Sequence, residues 1–211
     1  MTPASTKAKH LRRSPLSLPD LGPWAGVLLL LCAVFMLAAR FADQAPFLRL
    51  PTVKNYFPGC FLERNYNLII SIDAKSQIYI AVNDDLLQTT IIQQVAKRHN
   101  ITFTTAQLQQ LQKIPFLSQD IRRLPAWLSA SRMEQQQFPR GIPASSIDDQ
   151  LSEYIAASVS ESPALYGKPI RVELRADETL RAAEVTHVMQ LLRKQGINYI
   201  NFITELAQHK S

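Results

Sequence analysis

Four histidines, two cysteines and two acidic pairs are the side chains of this sequence that could carry chemistry. His10, His99, His187 and His209 are scattered along the chain. None stands near a cysteine or a carboxylate pair at the spacing a metal site needs. His187 falls in the middle of a helical pattern and reads as a solvated or half-buried residue. Asp84-Asp85 and Asp148-Asp149 could pair as acid and base. Each pair, however, falls near a predicted helix start, where a carboxylate favours the positive end of the helix dipole. The six glycines form no phosphate-cradling loop. No convergent polar site emerges, so we expect no enzyme and no catalytic, cofactor-binding or metal-binding residues. Cys32 and Cys60 are too far apart for a disulfide within one chain. Cys60 reads either as a small buried residue or as an odd thiol that bridges to a second copy.

With chemistry of that kind set aside, the most informative stretch is Leu21 to Ala39, nineteen residues without a formal charge. As a helix they rise roughly 28 Å at 1.5 Å each, close to the apolar thickness of a bilayer. The expectation is a single transmembrane helix over 21–39. A cleaved signal peptide would need small residues before the cut. Arg40 and Leu37 stand there instead, so the anchor is expected to remain.

The charge supports an orientation. Lys7, Lys9, Arg12 and Arg13 precede the apolar run, and Arg40 follows at its edge. Basic residues stay on the cytoplasmic side, so the amino terminus is expected in the cytoplasm and the remainder across the membrane. The whole chain carries +6. From Phe41 onward, 18 Lys and Arg face 16 Asp and Glu, leaving only +2. The basic balance is thus largely a topology signal and gives no nucleic-acid surface.

On either side of the helix, residues 1–20 read as a disordered leader and 40–63, with Pro46, Pro51 and Pro58, as a linker. In "NLIISIDAKSQIYIAV", Leu68, Ile70 and Ile72 alternate with Ile69, Ser71 and Asp73, then Ile78, Ile80 and Val82 alternate with Tyr79 and Ala81. Two period-two runs about a polar break predict a β-hairpin. Leu87, Ile91 and Val95 lie four apart and predict a helix over 85–99. Residues 100–142 are glutamine-rich and cut by prolines, with short helices expected near 104–113 and 125–137. Ser145 and Ser146 are candidate caps for the next helix, on which Ile147, Leu151, Tyr154 and Ile155 share a face. "PIRVELRAD" predicts a strand, Val185 to Leu192 a helix, and "INYINFIT" another strand. Gly196 stands where a helix ends in a left-handed residue. Strand, helix and strand with short connections imply a parallel pair with a right-handed crossover. The expected fold class is α+β: a membrane helix, then a small two-layer domain over 64–205 built from a β-hairpin, a helix and a βαβ unit.

Two separated pieces resemble the ExbD/TolR family of bitopic inner-membrane proteins. In "DLGPWAGVLLLLCAVFML", Pro23, Trp24, Val27, Phe35 and Met36 match the family's proline and leucine-rich helix in register. In "RVELRADETLRAAEVTHVMQLLRKQGI", Arg175, Ala176, Asp177, Thr179, Val188, Met189 and Gly196 match its second motif. The hairpin is also similar to the family's opening strands, and 84–142 reads as an insertion relative to its compact domain. The resemblance implies a subunit of an energy-transducing complex for biopolymer transport. It implies an ExbB/TolQ-like multi-span partner, a TonB-like partner outside the membrane and a homodimer within the complex. The family's partner-binding groove often works by adding a strand to a sheet edge; the sequence does not say which edge. One departure matters: the family's intramembrane aspartate position is Gly26 here. No Asp, Glu, His, Lys or Arg stands between Leu21 and Ala39, although an acid in a membrane is usually there to handle ions. Asp20 lies six residues away, roughly 9 Å along a helix axis. The chain is therefore not expected to carry the proton itself. The competing reading is a bitopic assembly scaffold of a secretion or cell-division machine, which needs no such acid.

Overall fold

The computed structural model describes residues 22–39, 48–53 and 66–206. The chain divides into two compact units, Met1–Ala42 and Asp43–Ser211. In the first, α1 (Gly22–Ala39) is one continuous helix. Its side chains are described over Ala25–Val34 and all are exposed; ten residues rise about 15 Å. Among the described residues, no helix is long and apolar enough to cross a membrane. Leu21, the first residue of the expected span, lies outside the described residues, as do Arg40, Cys60 and the leader.

The second unit is a mixed α+β fold around a four-stranded sheet. Alternation drives the strands: β2 (Asn67–Ile72) buries Leu68, Ile70 and Ile72, and β4 (Arg171–Ala176) buries Val172, Leu174 and Ala176. β2 pairs antiparallel with β3 (Ile78–Val82). Asp73 closes that hairpin by accepting the amides of Lys75 and Gln77. β2 pairs parallel with β4, and β4 parallel with β5 (Ile200–Phe202), giving the order β3-β2-β4-β5. One face of the sheet meets the helices; the other carries Asn67, Ser71, Glu173 and Arg175.

The helical layer packs by its apolar stripes. α2 (Asp85–Arg98) contributes Leu87, Ile91 and Val95, α6 (Gln150–Tyr166) Leu151, Tyr154 and Ile155, and α7 (Ala182–Lys194) Val188, Leu191 and Leu192. Each such side chain contributes about 1.5–3 kcal/mol by leaving water. Residues 84–142 are continuous with this core, since Leu111, Leu117, Ile121, Leu124 and Leu128 belong to the same buried cluster.

Two local expectations need correction, and a third element agrees with its expectation. The helix expected over 125–137 is two helices, α4 (Leu124–Ser129) and α5 (Arg132–Gln135). The chain is extended at Ala130 and Ser131, and Ser131 caps α5 through a reciprocal box with Glu134. Upstream, α3 (Thr105–Leu111) lies where a short helix near 104–113 was expected and opens on the same kind of box, Thr104 with Gln107. The second correction is that α6 does not begin at Ser145 or Ser146. Asp149 is its cap and accepts the amide of Ser152 at 3.1 Å. The Ser145 amide donates instead to the Asp148 carbonyl, and Ile147, outside the helix, is almost fully exposed.

Candidate functional site

The end of β4 carries a set of directed polar contacts that joins distant parts of the chain. Asp177 follows the strand and is 5% exposed. Its Oδ1 accepts the Thr179 amide at 3.0 Å and the Thr179 hydroxyl at 2.6 Å. Its Oδ2 accepts the amide of Arg49 at 3.0 Å. The Glu178 amide returns a bond to the Arg49 carbonyl at 2.7 Å. The Thr179 hydroxyl above all, then the Arg49 and Thr179 amides, hold the Asp177 carboxyl below the usual aspartate range. Hydrogen bonds to the charged form favour ionisation.

These bonds fix a strap. Beyond Arg49, Pro51 accepts the Glu205 amide, and β1 (Thr52–Val53) pairs parallel with β6 (Glu205–Leu206). The strap lies within the stretch read as a linker, yet its backbone bonds tie it to both β4's end and the C-terminal strand. An Asp-x-Thr directly after a strand is a turn signature, so the local part was readable. The Arg49 contact spans 128 positions and leaves no local trace.

The other motif residues scatter. Arg175 lies on the sheet's open face, 3.5 Å from Glu173, which also accepts from Asn67; the Arg175 Nε is buried with no partner. Val188 is a core residue and Met189 packs at the core's margin. Gly196 follows α7 with φ +80. Its amide donates to the Arg193 carbonyl, and that of Ile197 to Leu192, the double bond of a Schellman stop. In the other unit, Pro23 and Gly26 stand in α1, and a Cβ on Gly26 would meet nothing within 4 Å. Asp177 and Thr179 are thus brought together, while Arg175, Val188, Met189 and Gly196 serve separate places.

Some contacts had no sequence signal. Glu184 on α7 accepts the Ser76 hydroxyl and the Arg181 guanidinium, and these hold its carboxyl low. His99 meets Glu153 at 2.7 Å, and the exposed His187 ring lies 3.0 Å from the Ala144 carbonyl. Among the described residues, no three His, Cys, Asp or Glu side chains gather to hold a metal.

The sheet's two edges differ. At β3, Ile80 exchanges both backbone bonds with Leu117 and the Ile78 carbonyl accepts the Ile142 amide. The Val82 amide donates to the buried Gln88 side chain. At β5, no further strand pairs among the described residues, and Tyr199 and Phe202 are exposed beside it.

A family model, the biopolymer transport protein ExbD/TolR, matches residues 12–207. The chain belongs to the ExbD/TolR family. No curated protein and no solved structure matches it. The matched range runs from the leader through α1, the strap and the whole α+β unit, so the ExbD/TolR pattern covers α1 and the Asp177 clip together.

Proposed function

We propose that this chain is the ExbD/TolR-type subunit of an inner-membrane complex that turns an ion gradient into work on the envelope. Its α1 is the single span, with the amino terminus in the cytoplasm and the α+β unit in the periplasm. The observation that carries this reading is the family match, which joins α1, strap and sheet in one pattern. The all-round apolar side of α1 supports it, because a helix hydrophobic on every face is buried in protein or lipid. An ExbB/TolQ-like multi-span protein is the proposed partner around α1.

Gly26 gives the mechanism its particular form. With no acid between Leu21 and Ala39, the titrating carboxylate comes from another subunit and this chain transmits motion. The strap then links α1 to the domain, and the Asp177 clip fixes where the strap meets the sheet. The open β5 edge is where a second copy or a TonB-like partner adds a strand, because unpaired backbone groups there can continue the ladder.

The test is reconstitution with the multi-span partner, as wild type and as Gly26→Asp. Collapse of the proton gradient should stop the work of the wild-type complex. If neither form responds to the gradient, the motor reading fails. The missing acid favours one rival, an assembly scaffold; co-purification with a secretion or division assembly in place of an ExbB/TolQ-like protein would select it.

A further inference from the structure

Two nearby amides of the C-terminal strand have different partners. The Ile203 amide donates to the Leu174 carbonyl of β4 at 3.0 Å. The Glu205 amide, two residues on, donates to the Pro51 carbonyl of the strap at 3.0 Å. In an extended chain, groups two residues apart point to the same side. β1 also runs parallel to β6, as β4 runs parallel to β5. The strap therefore takes over the lane beside the C-terminal strand that β4 holds up to Leu174.

A continued ladder has a definite register. Leu174 stands opposite Phe202, so the next step sets Ala176 opposite Thr204. Its amide then donates to the Ile203 carbonyl and its carbonyl accepts the Glu205 amide. Pairing of β4 with β5 stops instead at Leu174 and Phe202. Yet β4 itself does not stop there. Ala176 still pairs with Ile72 of β2, and the Asp177 amide donates to the Ile72 carbonyl. We propose that the strap is a displaceable strand. Docked, it holds the C-terminal strand off the end of β4. Released, it lets that strand close onto β4, and the Glu205 amide passes from the Pro51 carbonyl to the Ala176 carbonyl.

The local chemistry suits such an exchange. The strap is held by the Asp177 carboxylate on the Arg49 amide, by the Glu178 amide on the Arg49 carbonyl, and by a two-residue pairing with β6. Pro51 has no N–H to offer the Ile203 carbonyl, whereas the Ala176 amide supplies one in the closed register. Both states pair the Glu205 amide, so neither carries the cost of an orphaned donor. The exchange regulates the β5 edge, and that consequence rests on the proposed function: a pull on the strap re-aims the strand to which a partner adds.

Paired cysteines report the two states in the full-length chain, with Cys32→Ala and Cys60→Ala removing the native thiols. Ala176→Cys with Thr204→Cys reads the closed state. With the strap docked those Cα atoms are two strand spacings apart, about 10 Å, beyond the roughly 7 Å limit of a disulfide. Thr52→Cys with Glu205→Cys reads the docked state, since those residues stand opposite each other. Asp177→Asn should speed oxidation of the 176–204 pair about tenfold and slow that of the 52–205 pair. Arg49→Pro, which removes the donor from the strap and leaves β4 unchanged, should act in the same direction. Both pairs speeding together, or a 176–204 link that is equally fast with the strap intact or absent in both variants, would overturn the proposal. No partner protein is needed, so this failure leaves the motor reading standing, and failure of the motor reading leaves the exchange standing.

Discussion

The two edges of the same sheet have opposite fates. At β3 the backbone groups are taken up by Leu117, Ile142 and the Gln88 side chain. At β5 a three-residue strand pairs only with β4 among the described residues. The same ladder physics acts at both edges; what differs is what the chain brings to them. Residues 84–142 supply the β3 cover and the side chains that anchor it. The lesson is directional: among the described residues, sealing β3 from within leaves β5 as the sheet edge without a further strand.

The comparison can be broken hardest at its anchor. Leu117 is 2% exposed in the common core, so Leu117→Ala should lose about 2–5 kcal/mol in chemical denaturation. Phe202→Ala at the other edge, where the ring is 41% exposed, should cost about 1 kcal/mol. Equal losses would mean the edges are not different in kind. Gln88→Ala comes next. Gln88 is buried, accepts the Val82 amide at 3.0 Å and donates to the Ile114 carbonyl at 2.8 Å. Leaving those groups unpaired should cost about 1–3 kcal/mol, read from the same melts.

Gly141 probes the closeness of the cover. It has φ +104, and a Cβ there would sit 3.3 Å from that of Gln77. Gly141→Ala should destabilise by about 1–3 kcal/mol through backbone strain, with faster amide exchange at Ile80. The smallest effect belongs to the strap near β5. The folded carboxyl of Asp177 is held low, so its contribution is present above the unfolded value, near 4, and is lost as pH falls through the folded one. Amide exchange at Arg49 should therefore rise, relative to the core, only below about pH 4. Asp177→Asn should produce that loosening at neutral pH.

Much of the domain was legible because its periods are local. The alternation of Leu68, Ile70 and Ile72, and of Val172 and Leu174, follows burial on one sheet face, and the fourfold spacing of Leu87, Ile91 and Val95 follows α2. The start of α6 misled because Ser145, Ser146 and Asp149 are all good caps, and tertiary contacts chose Asp149. The edges were not legible. A bond from Leu117 to Ile80, or from Arg49 to Asp177, joins positions whose neighbours carry no shared pattern. Of the site, the Asp177-x-Thr179 turn was visible as a motif; the strap it grips was not.

Backbone hydrogen exchange across both edges of the full-length chain, free and assembled with an ExbB/TolQ-like partner and a TonB-like protein, is the most direct test. The account predicts that Ile200–Phe202 gains at least about tenfold protection on assembly while Ile78–Val82, already sealed, does not change. Protection gained at Ile78–Val82 and none at Ile200–Phe202 would contradict it.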